Sequence, residues 1–365
     1  MRVSFISAVT AGCSHLSDAV LRPPQKKALL QFGPVLRDFC SSFYFEWHLE
    51  DPLRVDLLAS LTYDNNDRLI SHLNQAAGNS SDVKTHQSPG RKFTALFADC
   101  MPVLSRWKEM QRALKNRLPH IWFAWDYSPR EERFSPPNIH FCIDRNFTNR
   151  TRERSYTNAL SLTQFEKIVD TLLDADWPAE AVWSRHKLKK SYRLLHSLDG
   201  EVIHLSFMHS RRPAIAKLNM TVPSGALESL LKKLHWPGEA GRIVDQCVLF
   251  TQKESRIKGN ICFADGEFQR FELELEYNFP LMSDRRRRTM LQHLVETHLS
   301  ARRQTSIMRQ WPGRDDFTFR RQHGTLERWL DCKLCFTPDG TVFAKPYFGF
   351  ATLPRIGWNR DVLYE

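Results

Sequence analysis

Five times along the chain, two segments that alternate apolar and polar residues stand side by side, and segments with helical spacing follow each of the first four pairs. Such a chain has hairpins to pair and helices to lay over them, which points to an antiparallel sheet covered on one face. The first pair reads SFYFEWHLE at 42–50 and RVDLLASLTY at 54–63, joined through Asp51-Pro52. The second is HIWFAWDYS at 120–128 and NIHFCIDR at 138–145, and the third VIHLSFMHS at 202–210 and AIAKLNMTV at 214–222. A fourth unit holds DQCVLFTQ, SRIKGNICFAD and FQRFELELEYNF, turning at Asp265-Gly266, and the fifth pair, WLDCKLCFTPDG and TVFAKPYFGF, turns at Asp339-Gly340.

Between the pairs, helical spacing covers NDRLISHLNQA, the stretch FTALFADCMPVLSRWKEMQRALKNRL, residues 162–177, SGALESLLKKLHW and one long segment from 284 to 311. Ser224 and Glu228 suit a helix N-terminus, and Pro237-Gly238 a stop. The polar run at 78–91 reads as a mobile loop. Ten or so strands in hairpins either twist open or close, and closure removes their exposed edges. The expected fold is α+β: a closed antiparallel barrel of about ten strands from repeated strand-strand-helix-helix units, helices outside, residues 1–365 forming one domain. Two smaller α+β domains divided near residue 150 are the alternative.

With 42% apolar and 25% charged residues, the 365-residue chain can fill a core, which excludes disordered, collagenous and coiled-coil classes. The 52 Lys and Arg against 41 Asp and Glu give a net charge of +11, a preference for anions that does not choose among nucleic acid, diphosphate and acidic peptide. No apolar run approaches the length of a membrane span. Residues 1–13 imitate a short leader ending at Cys13, but Thr10 interrupts the apolar run, so an ordinary first strand or helix is expected. Eight cysteines are too dilute for a disulfide framework, which suits a reducing cytoplasm.

Period-two alternation sorts each strand into two faces. Lys217, Asn219 and Thr221 oppose Ala216, Leu218, Met220 and Val222; Arg256, Lys258 and Asn260 oppose Ile257, Ile261 and Phe263. Asp331, Lys333 and Cys335 oppose Cys332, Leu334 and Phe336, and Phe343, Lys345, Tyr347 and Gly349 oppose Val342, Ala344, Phe348 and Phe350. If helices cover the apolar faces, these cations enter the lumen, where each desolvated ammonium needs a counter-anion. A polyanionic ligand would supply it; a half-solvated sheet with ordinary surface lysines is the other reading. Tyr44, Glu46 and His48 share one face of the first strand, as Trp122, Ala124 and Asp126 do in the second pair, which brings carboxylates and aromatics to the same side.

Arg256-Ile257-Lys258 and Lys345-Pro346-Tyr347, set in strand-strand-helix-helix repeats, resemble elements of the aromatic prenyltransferases of the α-β-β-α barrel type, the group that contains the dimethylallyltryptophan synthases. In that family a closed barrel holds an allylic diphosphate by lysines and arginines and shields the carbocation with tyrosines. The resemblance implies that Arg256, Lys258, Lys345 and Tyr347 bind diphosphate with Lys217 and Lys333 assisting, and that Glu46 or Asp126 partners the acceptor. It implies a metal-independent enzyme of natural-product biosynthesis, without cofactor, acting on an aromatic small molecule or a peptide side chain. Asn219 and Asn260 stand where the family often has tyrosine after Lys-x.

Other signals carry less. Cys332 and Cys335 face opposite sides of one strand, and His293 and His298, five apart on a helix, cannot converge on one ion. Asp315-Asp316 is followed by Phe317-Thr318-Phe319, so the metal-bridging run of isoprenyl synthases is absent from that position. Arg285–Arg288, with Arg302, Arg303 and Arg309, reads as a solvated basic face. Aromatic and basic residues interleaved on strands also suit a platform for nucleic acid or an acidic peptide, though most of the aromatics fall on core faces.

Overall fold

The computed structural model describes residues 4–32, 36, 39–62, 65, 68–72, 97, 100–113, 118, 120–143, 160–173, 179–251, 254–277, 284–319 and 322–354. Thirteen described strands are β1 (Cys40–Trp47), β2 (Val55–Thr62), β3 (His120–Trp125), β4 (Tyr127–Ser128), β5 (Arg133–Phe134), β6 (Asn138–Cys142), β7 (Glu201–Met208), β8 (Ile215–Pro223), β9 (Arg256–Ala264), β10 (Glu267–Tyr277), β11 (Gly313–Phe319), β12 (Gln322–Phe336) and β13 (Val342–Pro354). Ten of them form an antiparallel ring in the order β10-β9-β8-β7-β6-β3-β2-β1-β13-β12, closed by pairing of β10 with β12. The first-half strands β6-β3-β2-β1 form one contiguous arc of the ring and the later strands the other, so both halves of the chain build one barrel.

β12 is long enough to serve two partners: its first half pairs with β11, from Gly313↔Arg328 to Phe319↔Gln322, and its second half closes the ring, with Lys333 opposite Glu274. The Asp265-Gly266 turn between β9 and β10 takes positive φ at both residues, 51° and 77°, the geometry of a two-residue hairpin.

Described helices lie outside the ring: α1 (Phe5–Ser14), α2 (Pro23–Leu30), α3 (Met101–Ala113), α4 (Leu162–Leu172), α5 (Ala179–Ser197), α6 (Leu227–Lys233), α7 (Ala240–Thr251), α8 (Asp284–Glu296) and α9 (Arg302–Gln310). In α4 a capping box closes the N-terminus, the Ser161 hydroxyl accepting from the Gln164 amide at 3.2 Å while Gln164 Oε1 accepts from the Ser161 amide at 3.0 Å. Its Phe165, Ile168, Val169 and Leu172 then line up on one face, and Phe165 stacks on Tyr192 of α5 with ring centroids 3.9 Å apart. Such fully buried side chains contribute about 1.5–3 kcal/mol each. Between helices and ring the apolar strand faces form the core, including Leu218, Met220, Ile261, Leu334, Phe348 and Phe350.

Local departures from the sequence reading have physical causes. Most of DQCVLFTQ lies in α7, because Ala240, Ile243, Cys247 and Phe250 repeat at helical spacing and bury one face. The segment 284–311 is two helices, broken after Glu296 where His298 takes φ of 58°. β4 and β5 form a small hairpin at the barrel's edge, and β11 extends the sheet beside β12. The run at 78–91 lies outside the described residues. No described helix is long and apolar enough to cross a membrane.

Candidate functional site: the barrel lumen

Register fixes the lumen. Tyr44 and Glu46 of β1, Trp122 of β3, His140 of β6, Lys217 and Asn219 of β8, Lys258 and Asn260 of β9, Glu272 and Glu274 of β10, Asp331 and Lys333 of β12, and Lys345 and Tyr347 of β13 all sit on the face opposite the helices. At one end the ring opens into a cavity of about 1450 Å³, with His48, Arg54, Asp126, Arg211, Arg270 and Lys345 among its walls beside Phe32, Tyr127, Phe134 and Phe343. Deeper in lies a chamber of about 100 Å³, bounded by Tyr44, Trp122, His140, Lys258, Glu274, Asp331, Lys333 and Tyr347.

A belt of ion pairs crosses the lumen. Lys345 Nζ lies 2.8 Å from Glu46 Oε1, and Lys217 Nζ 3.0 Å from both oxygens of Glu272. Arg270 reaches Glu272 at 2.8 Å, and Lys333 reaches Glu274 at 2.7 Å and Glu272 at 4.0 Å. Lys258 joins Glu274 at 3.1 Å. Asn260 donates to Glu272 and Glu274, at 3.1 and 2.9 Å, and accepts from Asn219 at 2.9 Å. The cations therefore have counter-anions from this chain itself, which removes the need for a polyanionic ligand on charge grounds alone.

The eight residues singled out in the sequence do not all meet. Lys217, Lys333, Lys345, Tyr347 and Glu46 share the belt, and Lys258 lines the inner chamber. Arg256, in phase with Lys258 but first in its strand, is carried to the far end of the barrel. There it binds Asp199 Oδ2 at 3.2 Å and the Thr221 hydroxyl at 3.3 Å. Arg256, Lys258 and Lys345 thus do not converge on one cavity. Asp126 stands in the mouth, gripped by Arg211 Nη2 at 2.7 Å and Nε at 2.8 Å and by Arg54 at 3.3 Å. The open platform considered for nucleic acid loses its surface, because these strand cations face a closed lumen.

Glu272, Glu274 and Arg270 went unread in the sequence, although their spacing in FQRFELELEYNF, opposite Phe271, Leu273 and Leu275, places all three on the face of the lysines. Arg211 follows β7 in a turn, where no periodicity marks it. Glu46, His48 and Asp56 bring three potential metal-ligand atoms within 4.8 Å of one another. Those atoms are engaged: Lys345 holds Glu46, while Arg54 at 2.8 Å and the Tyr127 amide at 2.7 Å hold Asp56, which contacts His48 Nε2 at 2.8 Å.

No protein-family model and no curated protein sequence matches the chain. Among solved structures, a 6-dimethylallyl tryptophan synthase aligns at 11% identity and a TM-score of 0.49, covering 97% of this chain and 100% of that one. The 6-dimethylallyltryptophan synthase of Micromonospora olivasterospora, solved in complex with DMASPP and Trp, aligns at 11% identity and a TM-score of 0.53, covering 96% of this chain and 97% of its own. The fold is the α-β-β-α prenyltransferase barrel.

In this barrel the belt's charges hold one another ionised. Burial pushes the carboxyls of Glu46, Glu272 and Glu274 upward, but Lys345, Lys217 and Lys333 respectively lead the cations that outweigh it, leaving all three well below the usual range. For Lys217 burial wins over Glu272 and lowers the ammonium pKa, whereas for Lys333 Glu274 and Glu272 overcome burial and raise it. Tyr347, raised well above its ordinary value by burial and then by Glu46 and Glu272, stays a phenol hydrogen-bonded to Glu46. Burial, with Lys217 and Lys333 nearby, pushes His140 down to about 3, so its imidazole is neutral.

Proposed function

We propose that the chain transfers a prenyl group from an allylic diphosphate to an aromatic small molecule or a peptide side chain, without a metal ion, in natural-product biosynthesis in the cytoplasm. The observation that carries this reading is a prenyltransferase barrel whose closed lumen combines lysines with electron-rich rings. Breaking the allylic carbon–oxygen bond leaves its electron pair on diphosphate and a delocalised cation on carbon. The first product calls for cationic donors and the second for aromatic faces and a dry enclosure. The acceptor's π electrons then form the new carbon–carbon bond, and its ring proton passes to the departed diphosphate.

In this reading Lys217, Lys258, Lys333, Lys345 and Tyr347, joined by Arg270, receive the diphosphate, which shares their hydrogen bonds with Glu46, Glu272 and Glu274. Arg256 keeps to its contact with Asp199 and serves as a fastener. The mouth cavity of about 1450 Å³ exceeds the roughly 300–1,000 Å³ of ordinary small-molecule pockets, which favours an acceptor as large as a peptide segment. Of the two candidate carboxylates, Asp126 lines this cavity, and Glu46 stands behind Lys345, which does. Metal independence is supported by the engagement of the lumen carboxylates with lysines and arginines.

Incubation with dimethylallyl diphosphate and a panel of aromatic and peptide acceptors, with and without a chelator, tests the reading by mass spectrometry. An isoprene-sized gain that survives chelation is expected. Salt-sensitive binding of oligonucleotides or acidic peptides with no turnover on any acceptor would instead favour a binding protein.

A further inference from the structure

Two phenols wall the inner chamber, and each aims its hydroxyl at a carboxylate. Tyr44 Oη donates to Asp331 Oδ2 at 3.0 Å and accepts from Trp329 Nε1 at 2.9 Å, while Tyr347 hydrogen-bonds Glu46. The two rings meet edge to face with centroids 6.0 Å apart, and Trp122 lies 5.3 Å from Tyr44. Register explains the arrangement: Asp331 and Glu46 both stand opposite Tyr347, one from the strand on either side.

A phenol that donates to an ionised acceptor carries more electron density than one that donates to a neutral group, because the charge strengthens the hydrogen bond and draws the proton toward the acceptor. An electron-richer ring binds a cation more strongly over its face. The lumen already contains such a contact, with Lys333 Nζ 4.9 Å from the centre of the Tyr347 ring. The chamber's volume of about 100 Å³ gives room for a small guest.

We propose that Asp331 is a positioning residue that fixes and polarises the Tyr44 phenol, making the inner chamber a site for a small organic cation the size of one isoprene unit. The inference rests on the prenyl-transfer reading for the identity of that cation, the allylic ion left when diphosphate departs. Asp331 acts through Tyr44, and Trp329 holds the phenol from its other side. Asn219 and Asn260 offer no ring from β8 and β9, so the electron-rich walls come from β1, β3 and β13.

Asp331→Asn keeps an acceptor for the Tyr44 hydroxyl and removes the charge. Its kcat for dimethylallyl transfer is expected to fall about tenfold, with KM for donor and acceptor within about twofold of wild type. In a Tyr44→Phe background the same substitution should add no further loss, since the pathway through the phenol is already gone. Equal losses in both backgrounds, or a full-rate Asp331→Asn enzyme, overturn the proposal.

A second measurement does not depend on turnover. Dimethylallylammonium, a stable cation of the same shape, is titrated into the protein in the presence of inorganic diphosphate by calorimetry. Wild type should bind it about tenfold more tightly than Asp331→Asn; equal affinities overturn the inference. If cation binding depends on Asp331 but wild type prenylates nothing, the chamber assignment stands and the prenyl-transfer reading fails.

Discussion

Lys345 and Glu46 meet at 2.8 Å inside the barrel although 299 residues separate them in the chain. They come from the adjacent strands β1 and β13, so the pair joins the first strand of the ring to the last. Both are almost fully buried, at 4% and 6% exposure. Removing one partner strands the other charge in a dry site, which costs about 3–5 kcal/mol. Lys345→Ala should therefore lower the unfolding free energy by about that amount, and Glu46→Gln combined with Lys345→Met should recover most of it. Urea denaturation of wild type and both variants measures this, and a loss under about 1 kcal/mol for Lys345→Ala would mean the pair is effectively solvated.

Lys258 differs because its partner is shared. Glu274 keeps Lys333 at 2.7 Å when Lys258 is removed, so no carboxylate is left alone. Lys258→Met should cost less stability than Lys345→Ala while weakening binding of an unreactive dimethylallyl diphosphate analogue by about tenfold, the worth of one charge-assisted contact. Calorimetry on the folded variant decides it. Undiminished affinity removes Lys258 from the donor site.

The ring and its inner face were legible because alternation is a local property. A strand such as AIAKLNMTV states which residues face helices, and two Asp-Gly turns fix where hairpins reverse. Which lysine meets which glutamate was not legible, since register between β10 and β12 depends on pairing across the closing seam. Arg256 shows the limit best: it has the same phase as Lys258, yet two residues at a strand's start separate a lumen residue from a rim residue. Depth along a barrel is set by neighbouring strands and their stagger, which alternation does not encode.

The lumen histidines make stability sensitive to mild acid. His140 is pushed down to about 3 and His120 to about 4, both first by burial, against an ordinary value near 6.5. The unfolded chain then binds more protons than the folded one as pH falls below about 6.5, so stability is full above that pH and is lost progressively below it. Each such histidine contributes a slope of up to about 1.4 kcal/mol per pH unit. Below about pH 4.5 the depressed carboxyls of Glu46, Glu272 and Glu274 add to the same trend. His140→Gln should flatten the stability profile between pH 6 and pH 4.5 by about one histidine's slope. Parallel profiles for variant and wild type would place the His140 ionisation outside that window.

Gly349 tests how tightly the aromatic wall is packed. A Cβ built on it would stand 2.6 Å from Tyr44 Cε1 and closer still to the Trp329 indole, the two rings linked through the Tyr44 hydroxyl. The backbone carbonyl of Gly349 also accepts from Trp311 Nε1 at 3.1 Å, so the strand cannot easily retreat. Gly349→Ala must displace Trp329 or Tyr44, and overpacking of this kind costs about 1–3 kcal/mol. The variant should melt several degrees lower than wild type. It should also lose transfer activity through Tyr44, because moving the phenol breaks its bond to Asp331. A variant with an unchanged melting temperature and full turnover would mean that these rings have room to shift, and the polarised wall would lose its geometric basis.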